Sequence, residues 1–216
     1  MIIFGTVSAY PEKLATQCAP GIARSMNGEA YEHIVERSVS NTFLSYQGIM
    51  LAARDRFNDA GSEEGDGDAL VLVHDDLEFR DPKLATKVAA NMDKGVGIVG
   101  LIGSKGAKSL AWWEGDRRGR VTDDAYGLHD FPFGDVDTLD GMCLILSPWA
   151  CGRLLLSGQG KGLHGYADEL CFQARKFGKR VVAADITAHH HSKGGYAGGV
   201  ESFNEANANF QKRWLT

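Results

Sequence analysis

Continuous apolar runs of strand length alternate along this chain with segments in which apolar residues recur at helical spacing. An unbroken apolar run predicts a strand that is covered on both faces, because such a strand needs no polar alternation. Strands are expected at residues 2–7, 31–35, 70–73, 95–103, 142–146 and 181–186. Helices are expected at residues 11–25, 41–57, 81–92 and 166–177. The alternation predicts an α/β fold with a mostly parallel sheet and helices on both faces.

Three further segments complete this pattern. Ser147-Pro148 marks the start of another helix, because Ser caps free amide groups and Pro is tolerated in the first turn. Phe203, Phe210 and Trp214 share one helical face and are expected to dock the C-terminus on the core. Residues 104–136 have no strong periodicity and are expected to form an irregular, functional surface.

Length and composition limit the classes of protein that the chain can form. Its 216 residues predict one domain over residues 1–216. Apolar residues at 44% and charged residues at 24% are ordinary for a soluble globular protein, and no apolar run approaches the ~20 residues that span a bilayer. The N-terminus lacks a basic leader and predicts a first strand, so we expect a cytoplasmic protein.

Charge and cysteine usage argue against two further classes of function. A formal net charge of -5 provides no basic surface for nonspecific binding of nucleic acid. Cys18, Cys143, Cys151 and Cys171 have no short metal-type spacing, and we expect them to be buried free thiols.

A cluster of possible metal ligands, His74-Asp75-Asp76, ends the apolar run at residues 70–73. Open α/β sheets bind ligands at the C-terminal ends of their strands, so these side chains are expected at a site. Divalent cations such as Mg²⁺ or Mn²⁺ prefer oxygen ligands and leave positions open for phosphates and water. The alternative is that the two acids only cap the turn that follows.

A second cluster, His189-His190-His191-Ser192, follows the predicted strand at residues 181–186. A neutral imidazole is a metal ligand, and parallel strands bring their C-terminal ends to the same edge of a sheet. In an extended chain His189 and His191 face one way and His190 the other, so one or two of them at most can bind one ion. A solvated turn is the alternative.

Three further segments could carry chemistry. Asp168 and Glu169 open a predicted helix, where either could act as a general base, although the helix dipole alone also accounts for acids there. Asp140-Gly141 precedes a buried strand and could line a pocket or form an ordinary turn. The glycines of residues 95–103 suit a strand with close backbone packing, and less well a phosphate-binding loop.

The order of these motifs resembles that of the family-two-like glycosyltransferases of GT-A fold, over most of the chain from about Ser40 onward. The resemblance is carried by Val73-His74-Asp75-Asp76, Gly97-Ile98-Val99-Gly100, Trp113, Gly119-Arg120-Val121, residues 136–141, His164-Gly165-Tyr166 and His190-His191-Ser192. It implies a single-domain, Rossmann-like GT-A fold. It also implies a metal-dependent enzyme, with Mn²⁺ or Mg²⁺ as cofactor, that moves a sugar from a nucleotide-diphosphate donor to an acceptor hydroxyl with inversion.

The resemblance also implies roles for individual residues. Asp76 is the expected principal metal ligand, and His191 best matches a late metal-binding histidine, with His189 as a further candidate. His74 or Asp75 is expected near the ribose. The donor sugar or the acceptor is expected to contact a group of residues made up of Trp112, Trp113, Asp140, Gly141 and His164.

The chain departs from the family pattern at Ala167, where relatives carry an acid that acts as the base. Either Asp168 or Glu169 takes that role, or the base is absent. Absence of the base favours a nonenzymatic module that binds a nucleotide sugar or a glycan. A nucleotidyltransferase is less favoured, because residues 8–25 offer only Lys13 and Arg24 for a basic phosphate-binding loop.

Overall fold

Two β-sheets form the frame of the protein in the computed structural model, which describes residues 1–37, 41–156 and 164–215. The strands are β1 (Ile2–Ser8), β2 (Tyr31–Arg37), β3 (Ala69–Val73), β4 (Leu77–Phe79), β5 (Val96–Gly100), β6 (Ile102–Lys105), β7 (Asp116–Asp123), β8 (Gly127–Asp130), β9 (Gly134–Asp135), β10 (Thr138–Leu139), β11 (Cys143–Leu146), β12 (Arg180–Ala183) and β13 (Ala188–His190). The helices are α1 (Pro11–Lys13), α2 (Ala19–Met26), α3 (Thr42–Ala60), α4 (Leu84–Asn91), α5 (Pro148–Arg153), α6 (Tyr166–Lys176) and α7 (Gly199–Trp214). A π-helical stretch at Leu14–Cys18 joins α1 to α2, and a short 3₁₀ helix covers Trp112–Glu114.

The larger sheet has the strand order β2-β1-β3-β11-β5-β12-β9 and is mixed in direction. β2, β1 and β3 run parallel, as do β5 and β12, whereas β11 runs antiparallel to both β3 and β5. The apolar pattern predicts a mostly parallel sheet, and β11 is the main departure from it. β11 lies between β3 and β5, and its apolar run predicts a buried strand without predicting its direction.

Apolar side chains on the two faces of this sheet pack against different helices. Leu70 and Leu72 of β3 join the core cluster that contains α3, α5 and α6. Val71 and Val73 join the cluster that contains α2 and α4. Side chains alternate between the faces of a strand, so one apolar strand supplies both layers. The expected arrangement of helices on both faces is therefore confirmed.

The apolar run at residues 95–103 forms two strands instead of the single expected one. β5 stays in the larger sheet, and β6 pairs with β7 and β10 in the second sheet. A Cβ added to Gly100 would press on Leu139, so close packing accounts for this glycine and a phosphate-binding loop is not needed. The apolar pattern at residues 95–103 does not predict where one strand ends and the next begins, because both β5 and β6 are largely buried.

Two more segments differ from the sequence pattern. The sequence pattern predicts an irregular surface at residues 104–136, but this segment contains β7, β8 and β9, and β7 pairs with both β6 and β8. The helix expected from residue 81 begins at Leu84. Asp81 instead accepts hydrogen bonds from the amides of Lys83 and Thr187, each at 3.0 Å, and so ties this turn to the segment before β13.

The second sheet has the order β10-β6-β7-β13-β4 and brings the histidine triplet to the end of β3. β12 ends at Ala183, and the chain then enters β13 instead of a solvated turn. β13 lies antiparallel to β4 and parallel to β7, with His190 opposite Leu77 and Asp123. The amide of His191 donates to the carbonyl of Asp76 at 2.8 Å. This pairing fixes the triplet beside the acidic motif.

Two other expectations concern the cysteines and the membrane. Cys18, Cys143, Cys151 and Cys171 are all buried free thiols, as expected. Among the described residues, we find no helix with the length and apolar character that a bilayer crossing requires.

Gly103 provides a test of how closely the second sheet packs. A Cβ at this position would overlap the carbonyl oxygen of Thr138 on β10. We therefore expect Gly103→Ala to lower the free energy of unfolding by about 1–3 kcal/mol, as overpacking does. Denaturant titration followed by circular dichroism measures this.

The matched control is Gly48→Ala on α3, where an added Cβ meets open space. Alanine has less conformational freedom than glycine in the unfolded chain, so this variant should be more stable than the wild type by about 0.4–1 kcal/mol. Equal effects of the two substitutions would contradict the packing described for Gly103.

Candidate active site

A cavity of about 850 Å³ lies where the two sheets meet. Its walls come from the ends of β3 and β13, the connection between β10 and β11, the start of α6 and the 3₁₀ helix. Of the candidate residues from the sequence, those that line it are His74, Asp76, Trp112, Trp113, Asp140, Gly141, His164 and Asp168. Those that do not are Asp75, Glu169, His189 and His191.

His74, Asp76 and His190 form a cluster on the cavity wall. Asp76 Oδ1 lies 3.3 Å from His190 Nε2 and 4.0 Å from His74 Nδ1. One possible ligand atom from each residue lies within 4.8 Å of the others. One carboxylate and two imidazoles form a donor set that suits a divalent transition metal, and it leaves the cavity side open for other ligands. These three residues therefore fit a metal such as Mn²⁺.

Hydrogen bonds hold both imidazoles with one nitrogen facing the cluster. Tyr166 Oη donates to the Gly141 carbonyl at 2.5 Å, so it accepts from His74 Nε2 at 2.9 Å. His190 Nδ1 donates to Asp123 Oδ2 at 2.8 Å. His74 Nδ1 and His190 Nε2 are thus the nitrogens directed to Asp76. A carboxylate behind a histidine is the usual way in which proteins orient a metal ligand.

The pKa values of His190 and Asp76 are shifted in opposite directions. Burial alone would lower the pKa of His190, but its hydrogen bonds to Asp123 and Asp76 raise it to about 10. Burial raises the pKa of Asp76, yet the hydrogen bonds from His190 and Lys13 and the positive charge of His190 hold it well below its usual range. Asp76 is therefore ionised and lies between cations.

His189 and His191 point to the opposite side of β13. Their rings stack at 4.2 Å, and both donate to Asp124, from His189 Nε2 at 2.5 Å and from His191 Nδ1 at 3.2 Å. His191 Nε2 lies 3.1 Å from Glu78 Oε2. The sequence expectation joins His191 and His189 to Asp76, but the structure brings His190 there. The cause is the alternation of side chains along an extended strand.

His189, His191 and Glu78 also lie close enough together to hold an ion. However, Glu78 already pairs with the guanidinium groups of Arg24 and Arg80. Glu78, His189 and His191 also do not line the cavity, so a ligand bound there would not reach an ion that they held. The cluster at Asp76 faces the cavity and is the better candidate.

Asp75 holds the chain that follows β1. Its Oδ2 accepts from Ser8 Oγ at 3.1 Å and from the amide of Tyr10 at 2.8 Å. Asp75 is buried away from the cavity, although the sequence resemblance suggests a place near a ribose. The same connection brings Tyr10 and Lys13 into the cavity wall. The sequence analysis assigns neither residue to the site, because neither belongs to a recognisable motif, and it considers Lys13 only for a phosphate-binding loop.

Asp140 and Gly141 form a second part of the wall. Trp112 Nε1 donates to Asp140 Oδ2 at 2.8 Å, and the amide of Met142 donates to Oδ1 at 2.9 Å. A Cβ at Gly141 would overlap the ring of Tyr166. Glycine is therefore required at position 141 so that Tyr166 can reach His74.

Asp168 and Glu169 are neighbours on α6 with different surroundings. Asp168 lines the cavity and accepts from Thr138 Oγ1 at 2.5 Å, and burial raises its pKa to about 7. Glu169 accepts from Trp214 Nε1 at 2.8 Å and pairs with Arg213 at 3.1 Å, so it fastens α7. Ala167 also lines the cavity and contributes only a methyl group.

An aromatic group covers the far end of the cavity. Trp113 is 41% exposed and stacks on Phe203 with ring centroids 5.9 Å apart. Tyr196 stacks on Phe203 at 4.2 Å, and His164 meets Phe203 edge-on at 5.4 Å. His164 Nε2 also donates to the carbonyl of Ala197 at 2.7 Å. Exposed rings of this kind offer a flat apolar surface beside polar groups.

Comparison with known proteins places this geometry in context. No protein-family model matches the chain. The streptomycin biosynthesis protein StrF of Streptomyces griseus is 29% identical over 206 residues, which are 92% of this chain and 69% of that protein. Among solved structures, A197 from STIV has a TM-score of 0.55 at 12% identity, with 89% of this chain and 86% of that chain covered.

GalNAc-T7, solved with UDP, GalNAc and Mn²⁺, has a TM-score of 0.53 at 9% identity. The match covers 95% of this chain but only 47% of the GalNAc-T7 chain, about half its length. The fold is GT-A-like. This confirms the fold class expected from the sequence, whereas membership of family two stays a prediction.

Adjacent histidines on opposite faces of β13 provide a test of the metal cluster. We expect His190→Gln to weaken binding of Mn²⁺ at least tenfold, because it removes an imidazole from the cluster at Asp76. His191→Gln should bind Mn²⁺ within about twofold of the wild type. Electron paramagnetic resonance of free Mn²⁺ measures both. The reverse result would place His191 in the metal site, as the sequence resemblance implies.

Proposed function

We propose that this protein is a metal-dependent glycosyltransferase that moves a sugar from a nucleotide-diphosphate donor to an acceptor hydroxyl. The observation that carries the proposal is the cluster of His74, Asp76 and His190 on the wall of a cavity of about 850 Å³ in a GT-A-like fold. The cavity volume suits a ligand larger than a single sugar. The likeness to GalNAc-T7, whose solved structure contains UDP, GalNAc and Mn²⁺, supports the same assignment.

In this proposal His74, Asp76 and His190 hold Mn²⁺ or Mg²⁺. The ion would neutralise the negative charge that develops on the diphosphate as it leaves. Asp123 and Tyr166 orient the two imidazoles so that His190 Nε2 and His74 Nδ1 face Asp76, where each could bind the ion. Two imidazoles favour Mn²⁺ over the harder Mg²⁺.

Asp168 is the proposed general base. The acceptor oxygen forms a bond to the anomeric carbon while the bond from that carbon to the diphosphate oxygen breaks, and Asp168 takes the hydroxyl proton. A single displacement of this kind inverts the configuration at the anomeric carbon. A raised pKa suits the role, because a base is most effective when its pKa lies near the working pH. The hydrogen bond from Thr138 fixes the carboxyl group in place.

Trp112, Trp113, Asp140, Gly141 and His164 are proposed to contact the donor sugar or the acceptor. Asp140 is held by Trp112 and by the amide of Met142, so its carboxylate is oriented before any ligand binds. Preorganised polar groups of this kind lower the entropic cost of binding. The rings of Trp113 and His164 lie with Tyr196 and Phe203 in the aromatic group.

A nonenzymatic module that binds a nucleotide sugar is the second candidate. Ala167 favours it, because the residue contributes a methyl group to the cavity where the resembled enzymes carry a base. The raised pKa of Asp168 and its place in the cavity favour the enzyme. The two functions differ in whether bound donor is consumed.

Donor turnover separates the candidates. We expect one nucleotide sugar from a panel to raise the Tm in the presence of Mn²⁺, because a ligand that binds only the folded state stabilises it. The same donor should slowly release nucleoside diphosphate, and EDTA should stop the release. Stabilisation without release would support the binding module. Release of pyrophosphate from a nucleoside triphosphate would indicate a nucleotidyltransferase instead.

Asp168→Asn tests the base. General-base catalysis contributes about 100-fold or more, so kcat should fall by at least that factor while donor binding persists. The base must be ionised to act, and burial raises the pKa of Asp168 to about 7. The kcat/KM of the wild type should therefore rise with pH up to about 7 and then level off.

Glu169→Gln is the matched control, because Glu169 lies in the same first turn of α6 as Asp168 but contacts α7. It should keep its kcat within about threefold. A pH profile in Asp168→Asn identical to that of the wild type would contradict the assignment, and a large loss in Glu169→Gln alone would move the base to Glu169.

A further inference from the structure

The cavity wall contains two lysine or arginine side chains among the described residues, Lys13 and Lys193. Lys13 contacts the acidic cluster directly, with its Nζ 2.8 Å from Asp76 Oδ2. Asp76 Oδ1 faces His190 at 3.3 Å. The two oxygens of Asp76 are therefore engaged by different cations, one on each side.

Neighbouring contacts hold the main chain that carries Lys13. Asp75 binds the amide of Tyr10, and Pro11 starts the helical segment that carries Lys13. The ammonium group also lies 5.2 Å from the centre of the Tyr10 ring. A lysine is a point charge on a flexible stem, so its Nζ can exchange partners while the backbone remains in place.

A divalent ion at the cluster would compete with Lys13 for Asp76. Two cations that share one carboxylate repel each other, and the more strongly coordinating metal displaces the ammonium group. The displaced group remains in the cavity, where the proposed diphosphate carries uncompensated negative charge. A phosphate oxygen is the natural new partner for it.

We infer that Lys13 neutralises Asp76 in the metal-free protein and binds the donor diphosphate once a metal ion takes its place. This inference rests on the proposed function and adds a phosphate-binding residue to it. Lys13 thereby opposes binding of the metal alone and favours binding of the metal together with the diphosphate. A lysine that only paired with Asp76 would also oppose the metal, but it would not favour the diphosphate.

Removal of Lys13 should therefore have effects of opposite sign on two ligands. In Lys13→Met, Mn²⁺ alone should bind at least threefold tighter, because Asp76 Oδ2 has lost its competitor. The manganese complex of inorganic pyrophosphate should bind at least tenfold more weakly. Lys13→Arg keeps the charge and should retain most of the pyrophosphate binding. Electron paramagnetic resonance and isothermal titration calorimetry measure the two affinities.

Controls distinguish failure of this inference from failure of the proposed function. Lys83→Met removes an exposed lysine that does not line the cavity and should leave both affinities unchanged. Circular dichroism checks that each variant is folded, and Lys13→Gln replaces Lys13→Met if the latter is not.

Wild-type protein that binds no Mn²⁺ would overturn the proposed function and this inference with it. If the wild type binds Mn²⁺ through His190 but not the pyrophosphate complex, only the role of Lys13 is overturned. The same holds if Lys13→Met weakens or preserves both affinities together.

Discussion

The register of β13 between β4 and β7 is the constraint on which the candidate site depends. The His191 amide bonds to the Asp76 carbonyl at 2.8 Å, and the Asp124 amide bonds to the His190 carbonyl at 3.1 Å. These main-chain bonds present His190 to Asp76 and the other two histidines to Glu78. A shift of one residue would exchange the two faces, because side chains alternate along a strand. Asp76 lies on one side of β13 and Glu78 on the other, so the strand register decides which imidazole faces the cavity.

Charge balance at Asp76 links the stability of this region to what it binds. Ionised groups that are partly buried must be paired, and Asp76 is paired with His190 and Lys13 while Asp123 holds the other side of His190. A cation bound there would have to replace these partners, so its binding would be coupled to proton release and to movement of the lysine. Lys13 and His190 pair with the Asp76 carboxylate when no metal is bound, and the same two groups would also affect how tightly Asp76 binds a metal ion.

Helix α6 directs its two neighbouring acids, Asp168 and Glu169, into different surroundings. Successive residues on a helix differ in direction by about 100°, so Asp168 and Glu169 cannot face the same surroundings. Asp168 turns to the cavity and loses hydration, which raises its pKa, and Glu169 turns to α7, where Trp214 and Arg213 hold it. The aromatic group of Trp113, Tyr196 and Phe203 depends on the same docking, because Phe203 belongs to α7. The C-terminal helix thus closes one end of the cavity.

The sequence by itself determined the alternation of strands and helices, the burial of β3, and the acidic motif at the end of that strand. These features follow from local patterns, since a strand that is buried on both faces needs apolar residues and polar residues follow where that strand ends. Only the tertiary structure decided that β11 runs antiparallel, that residues 95–103 serve two sheets, and that His190 rather than His191 meets Asp76. The tertiary structure also brought Lys13 into contact with Asp76, although the two residues are 63 positions apart in the chain. Direction, register and long-range pairing depend on contacts between distant segments, and no local pattern of apolar and polar residues encodes them.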